Sequence, residues 1–220
     1  MNMKQLYKQK RPDYFSSVRR EILPLLPAHS RRALDLGCGD GATLKWLKDD
    51  GRCQEAWGLE FIEPAAEVAR GVLDHVVLGN IETDTFNFKK GQFDLILCLD
   101  VLEHLRDPWE VTRRVSGWLS SDGVLVVSVP NVRYRTVLAQ LAFKGQFEYQ
   151  ESGILDRTHL RFFTRKSAVQ LLESTGLHDI RLVLHPSEIR GKAAILNSLF
   201  FGYFRDMFSW QLLLRGTKAH

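Results

Sequence analysis

Apolar residues follow two alternating patterns along most of the chain. Runs rich in apolar residues predict strands just before Gly37 and at residues 55–59, 75–78, 93–99 and 124–129, and the run at 93–99 is typical of a strand covered on both faces. Between these runs the apolar residues have helical spacing, as at Leu44 and Leu47 and at Val111 and Val115. Strands that alternate with helices predict a parallel sheet with ligand sites at the carboxyl ends of its strands.

Further elements are predicted on both sides of this alternating core. Helical spacing predicts helices over residues 13–26 and 134–143 and from Thr164 to Leu172. Residues 180–184 and 210–214 predict two more strands. The first of these helices is expected to cover one edge of the sheet.

A glycine-rich loop joins the first predicted strand to its helix. Asp35 ends the strand, and glycines follow at positions 37, 39 and 41. Glycine reaches backbone angles that are closed to other residues and lets a ligand lie against the main chain. Gly37, Gly39 and Ala42 also fit the dinucleotide fingerprint G-x-G-x-x-G/A, with Glu60 about twenty residues further on. An NAD-dependent oxidoreductase is therefore one alternative.

Two carboxylates distinguish this loop from a pyrophosphate site. Asp35 and Asp40 would lie close to a bound anion and repel it, whereas a cationic ligand would be attracted. S-adenosylmethionine has a sulfonium and an ammonium group and no phosphate. The loop therefore favours a ligand of that kind.

Three motifs occur in a fixed order: LDLGCGDG at residues 34–41, DVLEHL at residues 100–105, and Asp122-Gly123 before a strand. In these motifs the chain resembles the class I S-adenosylmethionine-dependent methyltransferases over residues 33–129. Residues 155–164, LDRTHLRFFT, resemble a bacterial subgroup of that superfamily that is similar to the ubiquinone and methionine-pathway methyltransferases.

The resemblance implies an α/β fold, a Rossmann-like three-layer sandwich with a mostly parallel seven-stranded sheet and an antiparallel last strand. It implies a single methyltransferase domain over residues 1–220. In this division residues 1–30 form a helical cover, 31–130 the cofactor-binding core, 131–164 an acceptor-site insertion, and 165–220 the C-terminal helix and strands.

The resemblance also implies which residues contact S-adenosylmethionine. The methionine part would face the glycine loop, and the ribose would face the end of the second strand. The adenine would lie at the end of the third strand, and the sulfonium would lie near the floor of the pocket, which follows the fourth strand. Asn80 stands where the family more often has an acid, but its amide oxygen still accepts a hydrogen bond. The implied contacts are Asp35, Gly37, Cys38, Gly39, Glu60, Phe61, Asn80, Ile81, Leu99 and Asp100.

The acceptor side has two candidate bases, His159 and His104, because imidazole titrates near neutral pH. Arg133 and Arg161 are candidate contacts for an anionic acceptor, and Asp156 is a further candidate substrate contact. Four alternatives stay open: a structural hydrogen bond between His159 and Asp156, a structural pair of Glu103 and His104 at a helix start, a turn-capping role for Asp100, and a solvated basic face for the arginines. No metal site is expected, since His104 has only Glu103 nearby in sequence.

The composition of the chain limits the kinds of partner and location that we expect for the protein. The net charge of +4 and the pI of about 9.0 are too modest for a nucleic-acid footprint. We expect three free cysteines, a cytoplasmic location, no transmembrane segment, and a monomer or homodimer. The expected reaction is methylation of an oxygen, with a nitrogen as the alternative, on a small-molecule or glycan-linked acceptor. The aromatic tail at residues 193–207 leaves a further alternative, a non-catalytic cofactor-binding or membrane-peripheral protein.

Overall fold

The computed structural model describes residues 17–185, 197–199 and 201–219. Within them, seven strands form one sheet in the order β3-β2-β1-β4-β5-β7-β6. Strands β1 to β5 pair in parallel, and β7 is antiparallel to both β5 and β6. This confirms the predicted sheet. The strands are β1 (Ser30–Leu36), β2 (Cys53–Glu60), β3 (His75–Leu78), β4 (Phe93–Leu99), β5 (Leu119–Pro130), β6 (Leu177–Leu184) and β7 (Gln211–Lys218).

Helices connect the strands, and two of them begin at a side-chain cap that the sequence contains. Asp107 accepts a hydrogen bond from the Glu110 amide at 3.0 Å, and Thr164 forms a capping box with Ser167. The α-helices are α1 (Ala42–Asp49), α2 (Glu63–Arg70), α3 (Pro108–Trp118), α4 (Arg135–Lys144) and α5 (Arg165–Glu173). Short 3-10 helices lie at Arg20–Leu25, Leu102–His104 and Arg205–Phe208.

Two apolar clusters fill the space on either side of the sheet. Successive strand residues point to opposite faces, so neighbours such as Ala33 and Leu34 enter different clusters. One cluster contains α1 residues Leu44 and Leu47, and the other contains side chains of α3 and α5. The sheet is therefore covered on both faces, which confirms the three-layer sandwich.

Two predicted elements differ in the structure. Residues 13–16 of the predicted first helix lie outside the described residues, and the part that is described contains only the 3-10 helix Arg20–Leu25 with Pro24 inside it. Proline has no amide hydrogen to donate to a helix. Strand β5 begins at Leu119, before the predicted turn at 122–123. Asp122 has a left-handed φ of 61°, and the pairing register with β4 shifts between Leu119 and Val124. The predicted turn is therefore an irregularity within the strand.

Candidate active site

A cavity of about 560 Å³ lies at the carboxyl ends of β1, β2 and β4. These ends meet because β1 pairs in parallel with both β2 and β4. All ten residues that the sequence predicted for the cofactor line this cavity, while their individual contacts with the cofactor stay predictions. They are Asp35, Gly37, Cys38, Gly39, Glu60, Phe61, Asn80, Ile81, Leu99 and Asp100.

The glycine loop lies against the end of β2. The amides of Gly37 and Cys38 donate to the Leu59 carbonyl at 2.7 and 3.2 Å. Gly37 has a φ of 68°, and a Cβ there would lie 3.0 Å from a methyl carbon of Val101 across the cavity wall. A side chain at this position would therefore be strained and would fill space that a ligand needs.

Glu60 holds the loop through its carboxylate. Oε2 accepts a hydrogen bond from the Gly39 amide, and Oε1 accepts from the amides of Phe61 and Ile62, all at 2.8 Å. Burial raises the pKa of Glu60, and the three amides oppose that rise. A carboxylate accepts about four hydrogen bonds, so one direction is left for a ligand hydroxyl.

Asp35 is a buried carboxyl in the cavity wall, with 4% of its surface exposed. Burial raises its pKa to about 8; the charge of Glu60 adds to the rise and that of Arg19 opposes it. A cation placed beside Asp35 would favour the ionised form. The carboxyls of Asp35 and Glu60 thus suit the charge of S-adenosylmethionine, and the glycine cradle suits close approach of a ligand to the main chain.

Asp100 forms the floor of the cavity and joins distant parts of the chain. It follows β4 with a left-handed φ of 55°. Its carboxylate accepts hydrogen bonds from Arg19 at 2.5 Å, from Ser128 at 2.9 Å and from Gln211 at 2.6 Å. Sequence reasoning missed Arg19, which also lines the cavity, and Gln211, because both meet Asp100 only through the fold.

The two candidate bases lie side by side. His104 lines the cavity, and His159 is behind it with the ring centroids 4.8 Å apart. Nδ1 of His104 lies 3.2 Å from the Thr158 carbonyl, and Nδ1 of His159 lies 2.9 Å from the Ile154 carbonyl. Burial and the neighbouring His159 lower the pKa of His104 to about 4.

None of the three predicted substrate contacts lines the cavity. Arg133 forms a salt bridge with Asp206 at 2.8 Å. The Asp156 carboxylate accepts two hydrogen bonds from Thr158, at 2.7 and 2.9 Å. Arg161 is exposed and donates to the backbone carbonyl of Arg106. The structure therefore does not bring these three residues together.

The segment 156–163 reaches the cavity through a different residue. Leu160 lines the cavity, and the amides of Leu160 and Arg161 donate to the Glu103 carbonyl at 2.7 and 3.0 Å. Residues 159–162 form no strand, and His159, Arg161 and Phe163 do not share one face: His159 and Phe163 are buried and Arg161 is exposed.

Comparison with known proteins agrees with this site. A family model described as Methyltransferase domain matches residues 7–182, and the chain belongs to that family. The ubiquinone biosynthesis O-methyltransferase of Acinetobacter baylyi is 23% identical over 170 residues, which cover 70% of each chain.

Solved structures show the same fold. A methyltransferase from Archaeoglobus fulgidus has a TM-score of 0.68 at 17% identity and covers 99% of this chain and 100% of its own. A possible histamine N-methyltransferase from Thermotoga maritima has a TM-score of 0.63 at 22% identity and covers 90% of this chain and 86% of its own.

The chain is therefore a class I S-adenosylmethionine-dependent methyltransferase, and S-adenosylmethionine is its cofactor. This confirms the predicted class of enzyme and its cofactor over the oxidoreductase and the non-catalytic alternatives. The cofactor supplies a methyl group already activated on a sulfonium. In the part of the chain that the structure describes, no helix combines the length and the apolar character needed to cross a membrane.

Proposed function

We propose that this enzyme methylates a hydroxyl oxygen of a small-molecule or glycan-linked acceptor. Support for oxygen as the acceptor atom comes from the relatives, which include ubiquinone biosynthesis O-methyltransferases at 23% and 25% identity. The structural observation that carries the proposal is His104 in the wall of the cofactor cavity.

His104 is suited to accept the proton that a hydroxyl must lose. Its lowered pKa of about 4 keeps the ring neutral at pH 7. The Thr158 carbonyl only accepts hydrogen bonds, so the ring proton lies on Nδ1 and Nε2 keeps its lone pair. An imidazole with so low a pKa is a weak base, and we expect its contribution at the lower end of general-base catalysis, about a hundredfold.

Positioning accounts for much of the remaining rate, because the methyl group is already activated and needs mainly in-line approach. Val101, Leu105 and Leu160 supply apolar wall beside His104 for the body of an acceptor. Arg106 also lines the cavity, and we assign to it the anion contact that the sequence analysis gave to Arg133 and Arg161.

The test is a screen with radiolabelled S-adenosylmethionine against pairs of acceptors that differ only in a hydroxyl or an amine. We expect methyl incorporation into the hydroxyl members. For an accepted hydroxyl, His104→Gln should lower turnover about a hundredfold, with the affinity for S-adenosylhomocysteine nearly unchanged. His178→Gln, at an exposed site, is the matched control. Methylation of amines alone, or full turnover in His104→Gln, would contradict the proposal.

A further inference from the structure

Three side chains that commonly bind metals meet beside the cavity. Glu103, His104 and His159 are all buried, and one ligand atom from each lies within 4.8 Å of the other two. Glu103 and His104 belong to the 3-10 helix after β4, whereas His159 comes from the segment held to that helix by the Leu160 amide. The cluster exists only in the folded chain.

Glu103 has a buried carboxylate that the protein does not satisfy. The residue is 1% exposed, and neither carboxylate oxygen has a hydrogen-bond partner among the described residues. Buried polar groups in native proteins are almost always hydrogen-bonded, and a buried charge is paired or coordinates a metal. A ligand that supplies positive charge at this point would resolve the mismatch.

Both histidines have one ring nitrogen held by the backbone. Each ring places Nδ1 against a backbone carbonyl, that of Thr158 for His104 and that of Ile154 for His159. A carbonyl is only an acceptor, so it fixes the proton on Nδ1 and leaves the lone pair on Nε2. Metal-ligating histidines are fixed in the same way by a carbonyl or a carboxylate on the other ring nitrogen.

We propose that Glu103, His104 and His159 bind one divalent first-row transition-metal ion, such as Zn²⁺. Two imidazole nitrogens and one carboxylate oxygen suit such ions, and three protein ligands leave a position open toward the cavity that His104 lines. In a tetrahedral site the ligand atoms lie about 3.4 Å apart. In the structure the three ligand atoms lie within 4.8 Å of one another, so the side chains would have to move slightly closer when the ion binds.

This proposal departs from the expectation of no metal that the sequence pattern gave, because spacing along the chain cannot show that His159 returns to Glu103. It also bears on catalysis. A nitrogen that ligates a metal has no lone pair for a proton, so His104 acts as the proposed general base only in enzyme that holds no ion at this site. Metal binding is measured without an acceptor, so a chain that fails to bind Zn²⁺ leaves the proposed O-methylation standing, and a failed acceptor screen leaves the metal proposal standing.

The experiment titrates the untagged full-length chain, stripped with a chelator, with Zn²⁺ in competition with a chromophoric indicator. We expect one tightly bound ion per chain. Glu103→Gln and His159→Gln should each weaken binding at least about a hundredfold, beyond the effect typical of losing an outer partner. His178→Gln, an exposed histidine outside the cluster, should bind as the wild type does.

Wild-type protein loaded with Co²⁺ or Zn²⁺ provides a second measurement that needs no folded variant. X-ray absorption should show two imidazole nitrogens and a carboxylate oxygen around the ion. The proposal is overturned if the wild type binds Zn²⁺ no tighter than a folded Glu103→Gln protein, or if the absorption spectrum shows fewer than two imidazole ligands.

Discussion

Cofactor binding should release a proton from Asp35. Its pKa is raised to about 8, so in the free protein the carboxyl is mostly neutral at pH 6 to 7.5. A bound ligand that carries an ammonium group stabilises the ionised carboxylate, and this lowers its pKa. The proton must then leave as the ligand binds.

The size of the effect follows from this pKa. Below pH 8 the free protein must lose about one proton per ligand bound, so the affinity rises about tenfold for each pH unit. Between pH 6 and pH 7.5 this predicts an increase of about 25-fold. The sign is fixed because a raised carboxyl pKa favours the neutral form at low pH, where the cation binds most weakly.

Isothermal titration with S-adenosylhomocysteine measures both quantities. Titrations at pH 6.5 in two buffers of different ionisation enthalpy should show about one proton released per ligand bound. In Asp35→Asn the release and the pH dependence should disappear, and the affinity at pH 7.5 should fall at least about tenfold. Asp40, which the sequence analysis also expected close to the ligand, does not line the cavity. Asp40→Asn changes the same charge in the same loop and should therefore behave as the wild type does. Equal proton release in wild type and Asp35→Asn would refute the reasoning.

Two more substitutions test the loop and the floor of the cavity. Glu60→Ala leaves three amide donors, two of them in buried hydrogen bonds, without their acceptor. It should cost at least about 2 kcal/mol in the free energy of unfolding and should also lower cofactor affinity. Denaturant melts should show a smaller loss for Glu55→Ala on the same strand. Arg19→Ala removes the charged partner of Asp100 and should lower the free energy of unfolding by about 1–3 kcal/mol. The loss should be larger than that for Arg20→Ala in the same denaturant melts. Equal losses for the two variants would argue against a stabilising role of the Arg19–Asp100 pair.

The strands and the cofactor side of the cavity were predictable because their signals are local. A continuous apolar run predicts a buried strand wherever it lies in the chain. The loop from Asp35 to Gly39 can be recognised because its acid and its glycines lie within five consecutive residues. Once a parallel sheet is predicted, the ends of its strands must lie together. The ten cofactor residues therefore reach one cavity.

The other features depend on contacts between distant residues. Nothing near Arg19 in sequence indicates that it binds Asp100, and the cluster of Glu103 with His159 depends on a loop that returns to a short helix. The sequence predicted a ribose contact for Glu60, but it could not show that three amides share the same carboxylate. Side chains that meet only after folding leave no periodic pattern.

The position of β7 between β5 and β6 affects how the chain acquires its shape during synthesis. The ribosome delivers β6 before β7, yet among the described strands β6 pairs only with β7, so β6 has no sheet partner until the later strand arrives. The edge of β5 stays uncovered for the same interval. Gln211, at the start of β7, then reaches Asp100 as the sheet closes. A nascent chain halted before β7 would expose an unpaired strand edge and lack part of its cofactor floor.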